Sequence, residues 1–302
     1  MDDLPEIQVM AGVLSDAEGR VLVAQRPAGR HLAGRWEFPG GKLAAGEAPL
    51  VGLQRELAEE LGVTLESAEP LIRLRHSYAD RRILLDAWRV TRYSGTPRGL
   101  DSQALDWVAP DQLTRVDLLE ADRPIVTALR LPPVARCVSG LPALLEAAGR
   151  QPAEALFWDP GDTEPMAAGT RAAVSAARAA GHRVLIAGEA VEAAVAAAAT
   201  RADGLLLGPA ARASSLDPRG SFLMGAQCPT PAAATAAVLA GAHFLVLAPG
   251  GERADDRQFT AVFQRLGVPA YVGWYPDTGF AELARARGAH GCAIGPFPHR
   301  SD

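Results

Sequence analysis

Residues 41–63 read GKLAAGEAPLVGLQRELAEELGV, and this stretch decides how the first half of the chain folds. Its leucines recur at the spacing of one helix face: Leu50, Leu53, Leu57 and Leu61. Such a stripe is typical of an amphipathic helix that packs against a core. Gly62 follows the last leucine and can adopt the left-handed conformation that ends a helix. The stretch therefore predicts a helix from Pro49 to Leu61. The chain enters it from a glycine-rich turn at Phe38-Pro-Gly-Gly41, called the glycine turn below.

A second face of the same helix carries acidic side chains. Glu56, Glu59 and Glu60 stand at i, i+3 and i+4, and Glu47 stands at the helix entrance. Like charges at this spacing cost roughly 0.2–0.5 kcal/mol per pair in an isolated helix. A bound divalent cation would turn that cost into affinity. Arg55 lies one turn before Glu59 and can pair with it. The alternative interpretation is a solvated acidic face without a ligand.

The ligand types favour magnesium. Hard oxygen ligands without histidine or thiolate select Mg²⁺ or Mn²⁺, and Mg²⁺ combines one or two carboxylates with waters and substrate phosphates. This arrangement suits the attack of a metal-bound water on a diphosphate. We expect Glu56 to lie closest to the attacking water, and we expect Glu59 and Arg55 to act with it.

Composition narrows the protein class. A chain of 302 residues predicts two domains. A net charge of −5 gives no basic footprint for nucleic acid or for an anionic membrane. Three cysteines without a Cys-x-x-Cys pair argue against disulfides and structural zinc, and they fit a reducing cytoplasm. No apolar run reaches the ~18 residues of a membrane span. We therefore expect a cytoplasmic protein whose partner is a small molecule.

Short apolar runs around the helix predict a mixed sheet with two helices. A turn at 15–20 suggests a hairpin between the first two runs, and a last helix opens near Asp122. The predicted strands are Ile7–Leu14, Val21–Gln25, Trp36–Phe38, Leu71–His76, Arg82–Tyr93 and Leu105–Val108.

Residues 41–63 match the Nudix box, and residues 1–131 resemble a Nudix hydrolase domain of the 8-oxo-dGTP diphosphatase (antimutator) type. The resemblance implies an α/β/α sandwich with a mixed sheet, and a hydrolase of phosphoric anhydride bonds. It implies five metal-binding positions: the Gly40 carbonyl, Glu56, Glu59, Glu60 and Asp101. It also implies six substrate-binding positions: Arg26, His31, Phe38, Gly41, Lys42 and Asp122.

Two of these positions depart from the family pattern. Asp101 stands where the antimutator type has a glutamate facing the metals, and a shorter carboxylate would ligate through a shifted or water-mediated contact. Asp122 stands where an asparagine reads the oxidised guanine through one donor and one acceptor. An ionised aspartate keeps only the acceptor.

The second half alternates apolar strands with alanine-rich helices after a linker at 132–134. Eight strands in residues 135–302 predict a small TIM-type (β/α)₈ barrel. They are Ala135–Ser139, Ala155–Asp159, Arg183–Gly188, Gly204–Gly208, Phe222–Cys228, His243–Ala248, Ala270–Trp274 and Cys292–Ile294.

This half resembles the thiamine phosphate synthase family, for example in Ala202-Asp-Gly-Leu-Leu-Leu-Gly208. The basic and acidic groups that would bind a pyrimidine diphosphate are missing after the second and third strands, at 156–159 and 187–188. We therefore expect a catalytically degenerate barrel that acts either as a binding domain for an unknown small ligand or as a scaffold. Candidate contacts are Asp159, Trp158, Gln227, Cys228 and Trp274.

The leading hypothesis is a Mg²⁺-dependent pyrophosphohydrolase that converts 8-oxo-dGTP to 8-oxo-dGMP and pyrophosphate, which is nucleotide pool sanitation in support of DNA repair. The alternative is hydrolysis of another diphosphate, such as a thiamine-pathway pyrimidine diphosphate, with the barrel as a binding or regulatory module.

Overall fold

The chain folds into two compact units, Met1–Leu129 and Arg130–Asp302. The computed structural model describes residues 4–165, 167–188, 190–208, 222–247, 265–275, 282, 284–285 and 288–295. The boundary between the units lies two residues before the end of the first predicted domain at 131.

The first unit contains six strands and two α-helices. They are β1 (Glu6–Val13), β2 (Val21–Gln25), β3 (Trp36–Glu37), α1 (Pro49–Leu61), β4 (Thr64–Ser77), β5 (Arg82–Ser94), β6 (Leu105–Val108) and α2 (Arg123–Arg130), with 3₁₀ turns at Pro110–Arg115 and Glu120–Asp122. The strands form two three-stranded sheets, where the sequence predicted one. In the mixed sheet β1-β5-β4, β5 is parallel to β1 and antiparallel to β4. The sheet β3-β2-β6 is antiparallel.

Helix α1 is held by its leucine face. Leu53, Leu57 and Leu61 are fully buried in one cluster with residues of β1 and β2. Gly62 ends the helix with φ 67°, and its N–H donates to the Ala58 carbonyl at 3.1 Å. The prediction was wrong only at Leu50, which lies in the first turn and stays 41% exposed.

Strand pairing over long range modifies two locally predicted features. The expected hairpin after β1 forms, but it is short: Ser15 bridges Val21, and Leu22 N–H donates to the Leu14 carbonyl at 3.0 Å. Beyond this turn β1 pairs with β5, and β2 pairs with β3 and β6. Strand β4 begins at Thr64, seven residues before the predicted Leu71. This extension pairs with β5 and is largely exposed, so its sequence lacks the apolar alternation of a core strand.

The second unit contains eight parallel strands that close into a barrel, as predicted. The strands are β7 (Val134–Ser139), β8 (Ala155–Asp159), β9 (Arg183–Gly188), β10 (Gly204–Leu207), β11 (Leu223–Cys228), β12 (Phe244–Leu247), β13 (Ala270–Tyr275) and β14 (Gly291–Ile294). Pairing of β14 with β7 completes the ring. The helices assigned in the described part are α3 (Gly140–Ala148), α4 (Ala168–Ala179), α5 (Ala190–Thr200) and α6 (Pro231–Leu239).

Aromatic side chains fill the middle of the barrel. Phe157 and Phe244 stack with ring centroids 6.0 Å apart, and Tyr271 stands edge-on to both at 5.8 and 6.1 Å. Gly225 makes room for this cluster, since a Cβ atom there would lie 2.1 Å from Cζ of Phe244. The cysteines Cys137, Cys228 and Cys292 are all free and buried.

Other predictions fall on parts of the chain that the structure does not describe. Most of the residues between the last three predicted strands, and the side chain of Trp274, lie outside the described residues. Among the helices that are described, none combines the length and the apolar character needed to cross a membrane.

Replacing Gly225 with alanine should destabilise the barrel by about 1–3 kcal/mol, because the new methyl group would overlap the Phe244 ring. Gly169→Ala is the matched control, since a Cβ atom there has nothing within 4 Å and alanine favours the helix. Thermal unfolding of the full chain measures both. A melting temperature of Gly225→Ala equal to that of the control would contradict the packing described.

Candidate active site

A cavity of about 600 Å³ in the first unit brings the predicted site residues together. Eleven of the twelve line it: Arg26, His31, Phe38, Gly40, Gly41, Lys42, Glu56, Glu59, Glu60, Asp101 and Asp122. Arg55 does not line the cavity, but it contacts the carboxylates that do. Residues far apart in sequence thus form one site whose walls contain a helix face, a glycine turn and the end of the 3₁₀ turn before α2.

The glycine turn is fastened to β1 by backbone hydrogen bonds. Met10 N–H donates to the Gly41 carbonyl and Gly12 N–H donates to the Pro39 carbonyl, both at 2.8 Å. Gly40 has φ 147°, and a Cβ atom there would lie 2.1 Å from the Met10 carbonyl oxygen. A Cβ atom on Gly41 would lie 2.3 Å from the carboxyl carbon of Glu56. Position 40 therefore requires glycine, because the obstacle is the β1 backbone. A side chain at position 41 would displace the Glu56 carboxylate.

Arg55 organises the acidic helix face. Its guanidinium donates to both oxygens of Glu47 at 3.0 Å, to Glu56 Oε1 at 2.9 Å and to Glu59 Oε2 at 3.3 Å. A further bond of 3.2 Å runs to the Lys42 carbonyl. Hydrogen bonds from Arg55 lower the pKa of Glu47 to about 2. The pairing of Arg55 with Glu59 agrees with their spacing, and the arginine links the helix to the glycine turn as well.

Glu60 is the member of this face that Arg55 does not reach. Its Oε2 accepts a hydrogen bond of 3.2 Å from Gly40 N–H. Burial, with a smaller contribution from the nearby carboxylates of Glu37, Glu56 and Asp101, raises the pKa of Glu60 to about 7, and the Gly40 hydrogen bond opposes this shift. Negative charge is therefore concentrated where Glu60 meets the turn.

The residues fit a hard divalent cation by the chemistry of their donors, which are carboxylate and carbonyl oxygens. Within the part of the chain that the structure describes, no three acidic, histidine or cysteine side chains are already grouped as a metal site. The reason is visible in the contacts, because Glu56 and Glu59 bond with Arg55 and Glu60 bonds with Gly40 N–H. A cation would compete with these donors for the same oxygens.

Asp122 also lines the cavity and is 5% exposed. Its Oδ2 accepts a 3.0 Å hydrogen bond from Phe38 N–H, which joins the start of α2 to the glycine turn. Burial raises the pKa of Asp122 to about 7, although the Phe38 hydrogen bond opposes this shift. The side chain can therefore carry a proton at neutral pH.

Sequence reasoning missed Glu37 and Tyr78, which also line the cavity. Glu37 forms an ion pair with Arg26, whose Nε also donates to the His31 carbonyl at 2.8 Å. Burial raises the pKa of Tyr78, and the charge of Asp122 adds to this shift. Glu37 could have been found, since it is an acidic residue directly before Phe38. Tyr78 gives no local signal.

Comparison with known proteins agrees with this site. The NUDIX domain family matches residues 10–128. The chain is 32% identical to the 8-oxo-dGTP diphosphatase of Escherichia coli over 127 residues, which is 42% of this chain and 98% of that protein. The protein belongs to the Nudix family. It is also 38% identical to the E. coli CTP pyrophosphohydrolase over 122 residues, 40% of this chain and 90% of that protein.

A further relative is a putative 8-oxo-dGTP diphosphatase 2 of Mycobacterium tuberculosis, 47% identical over 104 residues, 34% of this chain and 74% of that protein. Among solved structures, the E. coli ORF135 protein aligns with 36% identity and a TM-score of 0.39, covering 42% of this chain and 91% of that one. The Nudix domain is thus a pyrophosphohydrolase domain homologous to 8-oxo-dGTP diphosphatases and to CTP pyrophosphohydrolase. The thiamine phosphate synthase resemblance of the barrel stays a prediction.

The buried carboxyl of Asp122 should make the stability of the Nudix domain depend on pH. Because its folded pKa of about 7 lies above the usual 3.8, the folded state favours the protonated form. The penalty is absent below about pH 4, grows as pH rises, and is complete above about pH 7, where it reaches at most about 4 kcal/mol. Asp122→Asn should therefore raise the melting temperature at pH 8 by much more than at pH 4.5, where only about 1 kcal/mol of the penalty is present. An equal effect at both values would contradict this assignment.

Proposed function

We propose that the protein is a Mg²⁺-dependent nucleoside triphosphate pyrophosphohydrolase whose leading substrate is 8-oxo-dGTP. The observation that carries the proposal is one cavity that contains the acidic face of α1, the glycine turn and Asp122. The triphosphate would lie along the acidic face and Lys42, and the base would lie toward Phe38 and Asp122. Hydrolysis would break the anhydride bond between the α and β phosphorus atoms and release pyrophosphate.

Each residue of the acidic face has a part in this proposal. Glu56, Glu59 and Glu60, with the Gly40 carbonyl and Asp101, would hold the cation, with Mn²⁺ as a second choice. A bound divalent cation supplies positive charge for the phosphates and lowers the pKa of a coordinated water. Glu56 would accept the proton of the attacking water.

The remaining residues would position the substrate rather than react with it. Arg55 would keep Glu56 and Glu59 at the cavity wall. Arg26 already bonds with Glu37 and the His31 carbonyl, so we infer that it shapes the loop that borders the base. Lys42, whose backbone carbonyl is held by Arg55, would face phosphate.

A second candidate substrate is CTP, and Asp122 is the observation that favours it. One Asp122 oxygen accepts from Phe38 N–H at 3.0 Å, and the residue lines the cavity. An ionised carboxylate there would accept from the exocyclic amino group of cytosine. When protonated, the same group offers the donor that the O6 atom of 8-oxoguanine requires. The CTP pyrophosphohydrolase among the relatives adds support.

Glu59→Gln tests the assignment of the acidic face. The amide removes the charge of a proposed metal ligand, so kcat should fall by at least about 100-fold. The melting temperature should stay nearly unchanged, since the Glu59 side chain is 60% exposed. Glu66→Gln is the matched control, because Glu66 pairs with Arg92 on the exposed end of β4. Retention of a substantial share of turnover in Glu59→Gln would refute the assignment.

A substrate panel of 8-oxo-dGTP, dGTP, CTP and thiamine-pathway diphosphates decides between the substrates. With Asp122→Asn, the ratio of kcat/KM for 8-oxo-dGTP to that for CTP should rise by about tenfold, because asparagine keeps one donor and one acceptor at every pH. A ratio that does not change would show that Asp122 does not read the base. Selective hydrolysis of a thiamine-pathway diphosphate by the wild type would establish the alternative hypothesis instead.

A further inference from the structure

Gln227 is a polar residue inside the barrel, next to the last residue of β11. Strand alternation shows which way it points. Leu223 belongs to the interior cluster and Gly225 faces the Phe244 ring, whereas Ala226 and Cys228 pack in the outer cluster with α6. Gln227 follows the inward series, so its side chain points into the barrel near the carboxyl ends of the strands.

The carboxamide of Gln227 is buried without a hydrogen bond. The residue is 1% exposed, and neither Nε2 nor Oε1 has a partner among the described residues. An amide buried in this way loses its hydrogen bonds to water without gaining others in the fold, which is unfavourable. Buried polar groups in folded proteins are almost always paired, so this exception indicates a missing partner.

The inward residues nearest the carboxyl ends of the strands include several small side chains. From β7 to β14 they are Ser139, Asp159, Ala187, Leu206, Gln227, Val246, Gly273 and Ala293. Four of the eight are no larger than serine, although bulky branched side chains usually dominate barrel interiors. The aromatic cluster of Phe157, Phe244 and Tyr271 fills the barrel middle. The small side chains thus lie at the end of the barrel where ligands of this fold bind.

We propose that the carboxyl end of the barrel binds a small uncharged ligand with a lactam or carboxamide edge, which the Gln227 amide reads through one donor and one acceptor. This inference is independent of the function proposed for the Nudix domain.

The ligand class follows from the described inward residues. A lactam places an N–H and a C=O side by side, which is the complement of a side-chain amide. None of the eight inward residues is basic, and the charged one, Asp159, is acidic and would repel a phosphate. Asp159 Oδ1 accepts from Gly161 N–H at 3.0 Å, which leaves its other oxygen for a second ligand donor. The class therefore differs from the phosphorylated ligands implied by the thiamine phosphate synthase resemblance.

Ligand-observed saturation-transfer NMR on the full chain tests the proposal, with 2-piperidone and uracil as probes. N-methyl-2-piperidone and 1,3-dimethyluracil are the matched probes that lack the N–H donor. Wild type and the control Gln151→Met, which changes an exposed glutamine, should bind the first pair. Gln227→Met should bind that pair at least about tenfold more weakly, since two hydrogen bonds are lost.

Thermal unfolding gives a second reading that does not depend on the probe. Methionine has nearly the shape of glutamine without its amide, so Gln227→Met without ligand should melt at the same or a higher temperature than wild type. Turnover by the Nudix domain should be unchanged in this variant. Equal binding by wild type and Gln227→Met, no binding of either lactam by wild type, or a melting temperature lowered by more than about 4 °C in the variant would each overturn the proposal.

Discussion

The acidic face of α1 can exist because one guanidinium is placed to neutralise it. Arg55 donates to three carboxylates, those of Glu47, Glu56 and Glu59, and to the Lys42 carbonyl. The planar, five-donor guanidinium can meet partners in several directions at once, which a lysine ammonium on the same position would not reproduce. The same contacts fix the glycine turn against the helix. Charge balance and site geometry therefore depend on one residue.

This arrangement divides the carboxylates into two electrostatic groups. Arg55 lowers the pKa of Glu47 to about 2, so that residue is ionised whenever the domain is folded near neutral pH. Glu60 lies beyond its reach, and burial beside other carboxylates raises the pKa of Glu60 to about 7. A cation would have its largest electrostatic effect on the second group, because that charge is the least compensated. The helix thus offers both a rigid paired part and a part that responds to a cation.

Local pattern was enough to predict the helix, its glycine end and the eight-stranded barrel. The burial of Leu53 and Leu57 and the alternation of strands with helices both follow from the periodicity of a few residues. What failed depends on partners far away in the sequence. The division into two sheets follows from the pairing of β1 with β5, and Phe38 meets Asp122 across 84 positions. A pattern read over a short segment of the sequence cannot predict such a contact.

Asp122 and Gln227 are the two residues whose side chains limit which ligands each unit can bind. The family pattern has a base-reading asparagine at position 122. This chain has aspartate there, which lacks the amide donor. In the structure, one Asp122 oxygen accepts from Phe38 N–H and the residue lines the Nudix cavity, so its carboxyl sets a requirement for the groups that a base presents there. Gln227 poses the same requirement with both atoms of its amide. A buried polar group without a partner, such as the Gln227 amide, specifies the donors and acceptors that its ligand must carry, and this requirement holds independently of any family resemblance.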